Sequence, residues 1–165
     1  MSSYDSPASN TAANNGMTTG SNDEISILNS LIETTIDSAD GYEQAAETAD
    51  DAELAQTFRE FATERRRIVG DLRAQVVQLG GEPEDDGTVL AGAHRVFLSL
   101  KSVFGSSRKR VIEEVERGED HIKEKYDDAL ARLTGPCRTV VEHAYKSVRA
   151  GHDTFAALKH GYSGT

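Results

Sequence analysis

Four apolar stripes of helical period run through this chain, and the breaks between them are unequal in length. The first break, at Asp50–Asp51, and the third, at Thr134–Gly135–Pro136, are a few residues each. The second runs from Gly80 to Ser106. A short connection forces consecutive helices into an antiparallel hairpin, whereas a long one can travel back along a bundle at ~1.5 Å per helical residue. Two hairpins joined by one long crossover, with helices 2 and 3 parallel, define an all-α fold, the ferritin-like variant of the four-helix bundle.

The stripes fix the helices. Ser21-Asn22-Asp23-Glu24 has the form of a capping box, which predicts a helix start there. Ile25, Leu28, Ile32, Ile36, Ala39, Glu43 and Ala46 follow at steps of three and four, taking helix 1 to about Ala49. Ile27 and Leu31 widen its apolar face, which points to burial on two sides and to a homo-oligomer, a dimer. Asp50-Asp51-Ala52-Glu53 repeats the capping logic, and Leu54, Phe58, Phe61, Ile68, Leu72, Val76 and Leu79 mark helix 2. Gly80-Gly81-Glu82-Pro83 ends it, because glycine suits the C-terminal cap and proline cannot continue a helix.

Within the crossover, residues from about Thr88 to Phe104 form a short amphipathic helix by pattern. Helix 3 extends to near Leu133, with Ile112, Val115, Ile122, Tyr126 and Ala129 inward. Helix 4 opens on Pro136, where a missing N–H is harmless, and carries Val141, Ala144, Tyr145, Val148, His152, Phe155 and Leu158 to a stop at Gly161. The chain thus divides into a disordered tail over residues 1–21, a bundle over 22–161 and a short tail over 162–165.

Composition bounds the function. At 165 residues there is room for one domain with a real core. A formal charge of −10 argues against nucleic acid and anionic membrane as partners, since polyanions repel an acidic surface. Cys137 stands alone, so no disulfide or CxxC pair forms within the chain, and no apolar run approaches the ~18 residues of a membrane span. A cytoplasmic protein is the expectation. Cys137 falls in the first turn of helix 4, where the helix dipole lowers a thiol pKa, but no histidine or second cysteine is implied beside it to make a nucleophile.

The candidate site follows from Glu119. On the helix 3 stripe the slot between Val115 and Ile122 is filled by this carboxylate rather than by a hydrophobe. Glu43 and His152 lie on the inward stripes of their own helices, and with the crossover topology Glu60, Glu64 and Glu116 fall within about two turns of them. Carboxylates and one imidazole suit iron or manganese, with zinc also compatible. The Glu-x-x-His spacing of di-iron bundles is absent, because Glu119 follows Glu116 on helix 3 and Arg149 stands three residues before His152. Arg65, on the stripe between Phe61 and Ile68, supports a second reading in which the inward carboxylates form an ion-pair network that fixes helix register. A third is that Glu43 or Glu119 faces outward. His94, beside the apolar face of the crossover helix, is read as structural, and His121, His143 and His160 as solvated.

Five motifs carry a family resemblance: Gly41-Tyr42-Glu43, Leu79 to Pro83 (LGGEP), Ala93 with His94-Arg95, Glu116 to Asp120 (ERGED) and His152-Asp153. Over about Glu24 to Leu158 the chain resembles an uncharacterised bacterial ferritin-like four-helix-bundle family, a domain of unknown function. The resemblance implies the fold and no agreed activity. The wider ferritin-like superfamily suggests iron storage or di-iron chemistry, hence a metal-homeostasis or stress role, or a metal-dependent oxidoreductase. The residues themselves favour a non-enzymatic structural or interaction protein, with Glu43, Glu116, Glu119 and His152 as the alternative metal ligands and Glu60 or Glu64 in support.

Overall fold

The computed structural model describes residues 15–87 and 107–162, with side chains from Gly20 to Gly161. Four α-helices make up this part: α1 (Asn15–Thr48), α2 (Ala52–Gln78), α3 (Arg108–Arg132) and α4 (Gly135–Tyr162). No strand occurs among the described residues. Of the tail expected over residues 1–21, residues 1–14 lie outside them, as do the crossover helix with His94 and residues 163–165, while residues 15–21 belong to α1.

The helix ends follow local chemistry. Asp51 caps α2, its carboxylate accepting from the Glu53 and Leu54 amides, and Glu53 adds negative charge to the first turn. At the other end Gly80, at φ 77°, lets its N–H reach the Val77 carbonyl while the Gly81 N–H reaches that of Val76, the paired bonds of a Schellman motif. The capping box at Ser21 is not used. Helix α1 already runs from Asn15, so the amides that Ser21 was expected to cap lie inside the helix.

The interior contacts give each helix a direction. Descending α1 from Asp51 beyond its end through Tyr42 to Thr35, the partners on the third helix ascend from Arg108 through Glu119 to Tyr126. Thus α1 and α3 are antiparallel. Phe58, Arg65 and Gln75 of α2 meet Phe155, Ser147 and Cys137 of α4, which makes that pair antiparallel too. With antiparallel α1–α2 and α3–α4 hairpins, α2 and α3 must run parallel on one diagonal of the square, and α1 and α4 on the other. This is the crossover arrangement that the unequal breaks predict.

The return path begins in view. Gly81 lies against the Ile25 side chain, Asn29 donates to the Glu82 carbonyl and accepts from the Glu84 amide, and Gly87 lies against Asp37. Twelve helical residues separate Ile25 from Asp37, a rise of about 18 Å, while six residues from Gly81 to Gly87 reach at most about 21 Å. The segment therefore climbs α1 nearly fully extended, and Arg73 of α2 holds it by donating to the carbonyls of Glu84 and Asp85.

The core has two parts. An aliphatic half centres on Leu28, Ile32, Ile68, Leu72, Ile122 and Val141, and a smaller aromatic half gathers Tyr42, Phe58, Phe155 and alanines at 45, 46 and 62. Ile27 and Leu31 are buried within this single chain. The extra width of the α1 face, from which a homo-oligomer was expected, is thus used internally. Among the described residues Val77, 60 % exposed, is the only large hydrophobic side chain open to solvent. None of the described helices is long and apolar enough to cross a membrane.

Candidate functional site: a buried arginine–glutamate layer

Between the two halves of the core lies a layer of polar groups supplied by all four helices. At its centre, Nη2 of Arg65 donates to both oxygens of Glu119, at 2.8 and 3.1 Å. Both side chains are buried, at 0 % and 2 % exposure. The pair spans the α2–α3 diagonal, so it forms only when the second hairpin sits in one axial register against the first.

Two charges removed from water cost several kcal/mol each unless their remaining hydrogen-bond capacity is filled. Here it is filled locally. Tyr42 donates to Glu119 Oε1 at 2.6 Å, and Arg65 donates from Nε to the Ser38 hydroxyl at 3.3 Å and from Nη1 to that of Ser147 at 3.4 Å. The guanidinium carbon lies 5.8 Å from the Tyr42 ring centre and 6.0 Å from that of Phe61, within cation–π range. Burial, then the Glu119 charge, hold the Tyr42 phenol well above its ordinary pKa, so it stays a donor. Among the described residues, every buried side-chain nitrogen and oxygen has a hydrogen-bond partner.

Gly151 makes room for the pair. A β-carbon at this position would fall 2.5 Å from Glu119 Oε2 and 2.7 Å from Arg65 Nη2. A glycine in the middle of a helix costs roughly 0.5–1 kcal/mol relative to alanine, and here the cost is offset by the close approach of the α4 backbone to the ions. About two turns below, Tyr126 and Thr35 form a second polar contact at 2.8 Å, with Thr35 also donating to the Leu31 carbonyl. Burial pushes the Tyr126 phenol up to about 12.

The other proposed ligands do not converge on Glu119. Glu43 points outward and binds Arg66, which also holds Asp40. The expectation that it faces inward is corrected: Tyr42 takes that place, because the buried series on α1 runs Leu28, Ile32, Thr35, Ala39, Tyr42, Ala46, alternating steps of four and three. Glu116 is half-buried at the edge of α3 and accepts from Lys159 at 2.7 Å. Glu60 is exposed and paired with Gln56. Glu64 pairs with Arg67, whose hydrogen bonds hold its carboxyl below the usual range.

His152 sits at the flank of α4, its Nε2 2.8 Å from Asp120 and its Nδ1 3.1 Å from Asp153. The inward place on that turn belongs to Gly151, so the imidazole is not part of the buried network. Each of the expected ligands is thus held by a different partner. Among the described residues no three His, Cys, Asp or Glu side chains come together as a metal-holding group. Cys137 is buried against Gln75, and burial raises its thiol pKa, the reverse of the lowering expected from the helix dipole.

Sequence pattern identifies Glu119 and Arg65 and misses Tyr42, Ser38, Ser147 and Gly151. The glycine carried a usable signal, an unbroken helical pattern with a glycine three residues after Val148 on the inward stripe. The serines carried none, since a serine near a stripe is ordinary.

Comparison with curated proteins finds no match to this chain. A family model described as "Domain of unknown function (DUF2383)" matches residues 23–132, from early α1 to the end of α3 and through Tyr42, Arg65 and Glu119. That match covers two thirds of the sequence, and the chain belongs to the DUF2383 family.

Proposed function

We propose that this chain is a non-enzymatic structural or interaction protein whose buried polar layer sets helix register rather than binding a ligand. One observation carries the reading. The only carboxylate buried among the described residues, Glu119, has its oxygens engaged by Arg65 and Tyr42. A metal ion entering there must displace a guanidinium that has no other carboxylate within its hydrogen bonds, leaving a bare buried cation beside a dication. On this reading the surface carries the biological role, and a formal charge of −10 favours cationic partners over nucleic acid or anionic membrane.

The test is elemental analysis of protein purified without chelator, repeated after anaerobic Fe(II) and Mn(II) addition and desalting. The expected result is below about a tenth of an equivalent of any transition metal. A stoichiometric ion that is lost in Glu119→Gln would overturn the proposal and restore the metal reading.

A further inference from the structure

The buried apolar side chains gather into two clusters, and the Arg65–Glu119 layer lies between them. We propose that the half of the bundle on the aromatic side of this layer opens as a separate unit while the aliphatic half stays folded. The inference concerns motion and stands independently of the metal question.

Three observations support it. The first is the boundary itself. Apolar packing is what propagates cooperativity through a core, and a polar layer interrupts it. Wetting the layer costs little, because water restores to Arg65 and Glu119 the hydration that burial removed, whereas wetting an aliphatic layer recovers nothing. The second is the imbalance of the two halves. The aliphatic part holds three series, from Ile27 to Ile36, from Ile68 to Val76 and from Ile122 to Val148, whereas three of the seven buried members of the aromatic part are alanines. Its flanking Phe61, Val111, Val115 and Leu158 are only partly buried.

The third is the state of the helix ends. Helix α3 begins at this end with Arg108, Lys109 and Arg110, has no acidic residue in its first turn, and gains no side-chain hydrogen bond from Ser107. Cations at the positive pole of a helix oppose its formation. Helix α1 finishes at this end with no basic residue in its last turn. The Asp51 cap of α2 and Lys159 and His160 at the close of α4 are favourable, so the weak points are the start of α3 and the end of α1. At the opposite end α2 is closed by its Schellman motif and α3 by Arg132.

Hydrogen exchange of the full chain, followed by mass spectrometry or NMR across a series of sub-denaturing urea concentrations, tests this. Amides in 43–48, 54–61, 109–116 and 154–160 are expected to exchange at least about tenfold faster than those in 28–36, 68–76, 122–131 and 141–148, through an opening with a smaller urea dependence than global unfolding. Ile68→Val, on the aliphatic side, is expected to speed the second set severalfold and leave the first unchanged, because that side stays folded in the partial opening. Phe155→Ala, whose ring is unpacked in both the partial and the global opening, is expected to speed both sets. A single urea isotherm shared by both sets overturns the proposal, as does an Ile68→Val variant that speeds both sets equally or only the first.

Discussion

Replacing Gly151 by alanine reverses the usual sign of that substitution. In a helix interior, Gly→Ala gains about 0.8–1 kcal/mol from propensity alone. The same change at Gly118 of α3 meets nothing within 4 Å and collects that gain. At Gly151 the added methyl sits 2.5 Å from Glu119 Oε2 and 2.7 Å from Arg65 Nη2, well inside contact distance. Overpacking costs about 1–3 kcal/mol, and the atoms displaced are the two whose hydrogen bonds offset each other's desolvation, so part of the roughly 3–5 kcal/mol of a broken buried pair is added. The net expectation is a loss of about 2 kcal/mol, or roughly 4–8 °C in Tm for a chain of this size. Urea unfolding followed by circular dichroism, with Gly118→Ala as control, reads both values. Equal stabilisation by the two substitutions would refute the close approach of α4 to the ion pair.

Alkaline pH offers an independent check on burial. The Tyr126 phenol is held neutral to about 12, against 10.0 when exposed, and a raised folded-state pKa contributes stability that is whole below the unfolded value and disappears as pH climbs through the folded one. Stability is therefore expected to fall as pH climbs from 10 towards 12 on this group's account, by roughly 3 kcal/mol in all, with Tyr42 adding to the slope. Tyrosinate absorbance during titration should show the two phenols ionising only with unfolding; early ionisation of all the tyrosines contradicts their placement. Asp51→Ala removes the α2 cap and the ion pair to Arg108. It is expected to cost about 1–2 kcal/mol in urea unfolding, nearly all of it from the cap because the exposed pair is weak, and a neutral result would show the cap to be idle.

Much of the fold is legible in the sequence because it is written in strong local chemistry. Asp51 and the Gly80-Gly81 pair mark the ends of α2 with backbone requirements that few residues meet. The unequal breaks specify two hairpins and a crossover, and the contacts from Asp51–Arg108 to Thr35–Tyr126 give the helix directions this implies. The start of α1 was misplaced because a capping box signals only a possible start, and nothing in Asn15 to Gly20 forbids an earlier one. Glu43 was misplaced for a related reason: from Ala39 both three and four residues are helical steps, and the choice between Tyr42 and Glu43 depends on the supercoil of the bundle, not on the local pattern. His152 lost its inward place to a neighbour one residue away. Polar layers are assembled across helices by groups that share no sequence signal, so the two ions were visible and the hydroxyls and glycine that complete their setting were not.

The account rests on Arg65 and Glu119 acting as one buried unit, and a double-mutant cycle with Arg65→Met and Glu119→Gln measures that directly, since Gln leaves Tyr42 an acceptor. Each single change is expected to cost about 3–5 kcal/mol by stranding a polar or charged partner, while the double variant recovers most of that loss, giving a coupling of at least about 2 kcal/mol. Additivity within ~0.5 kcal/mol would contradict the claim and mean that the two side chains do not share an interior.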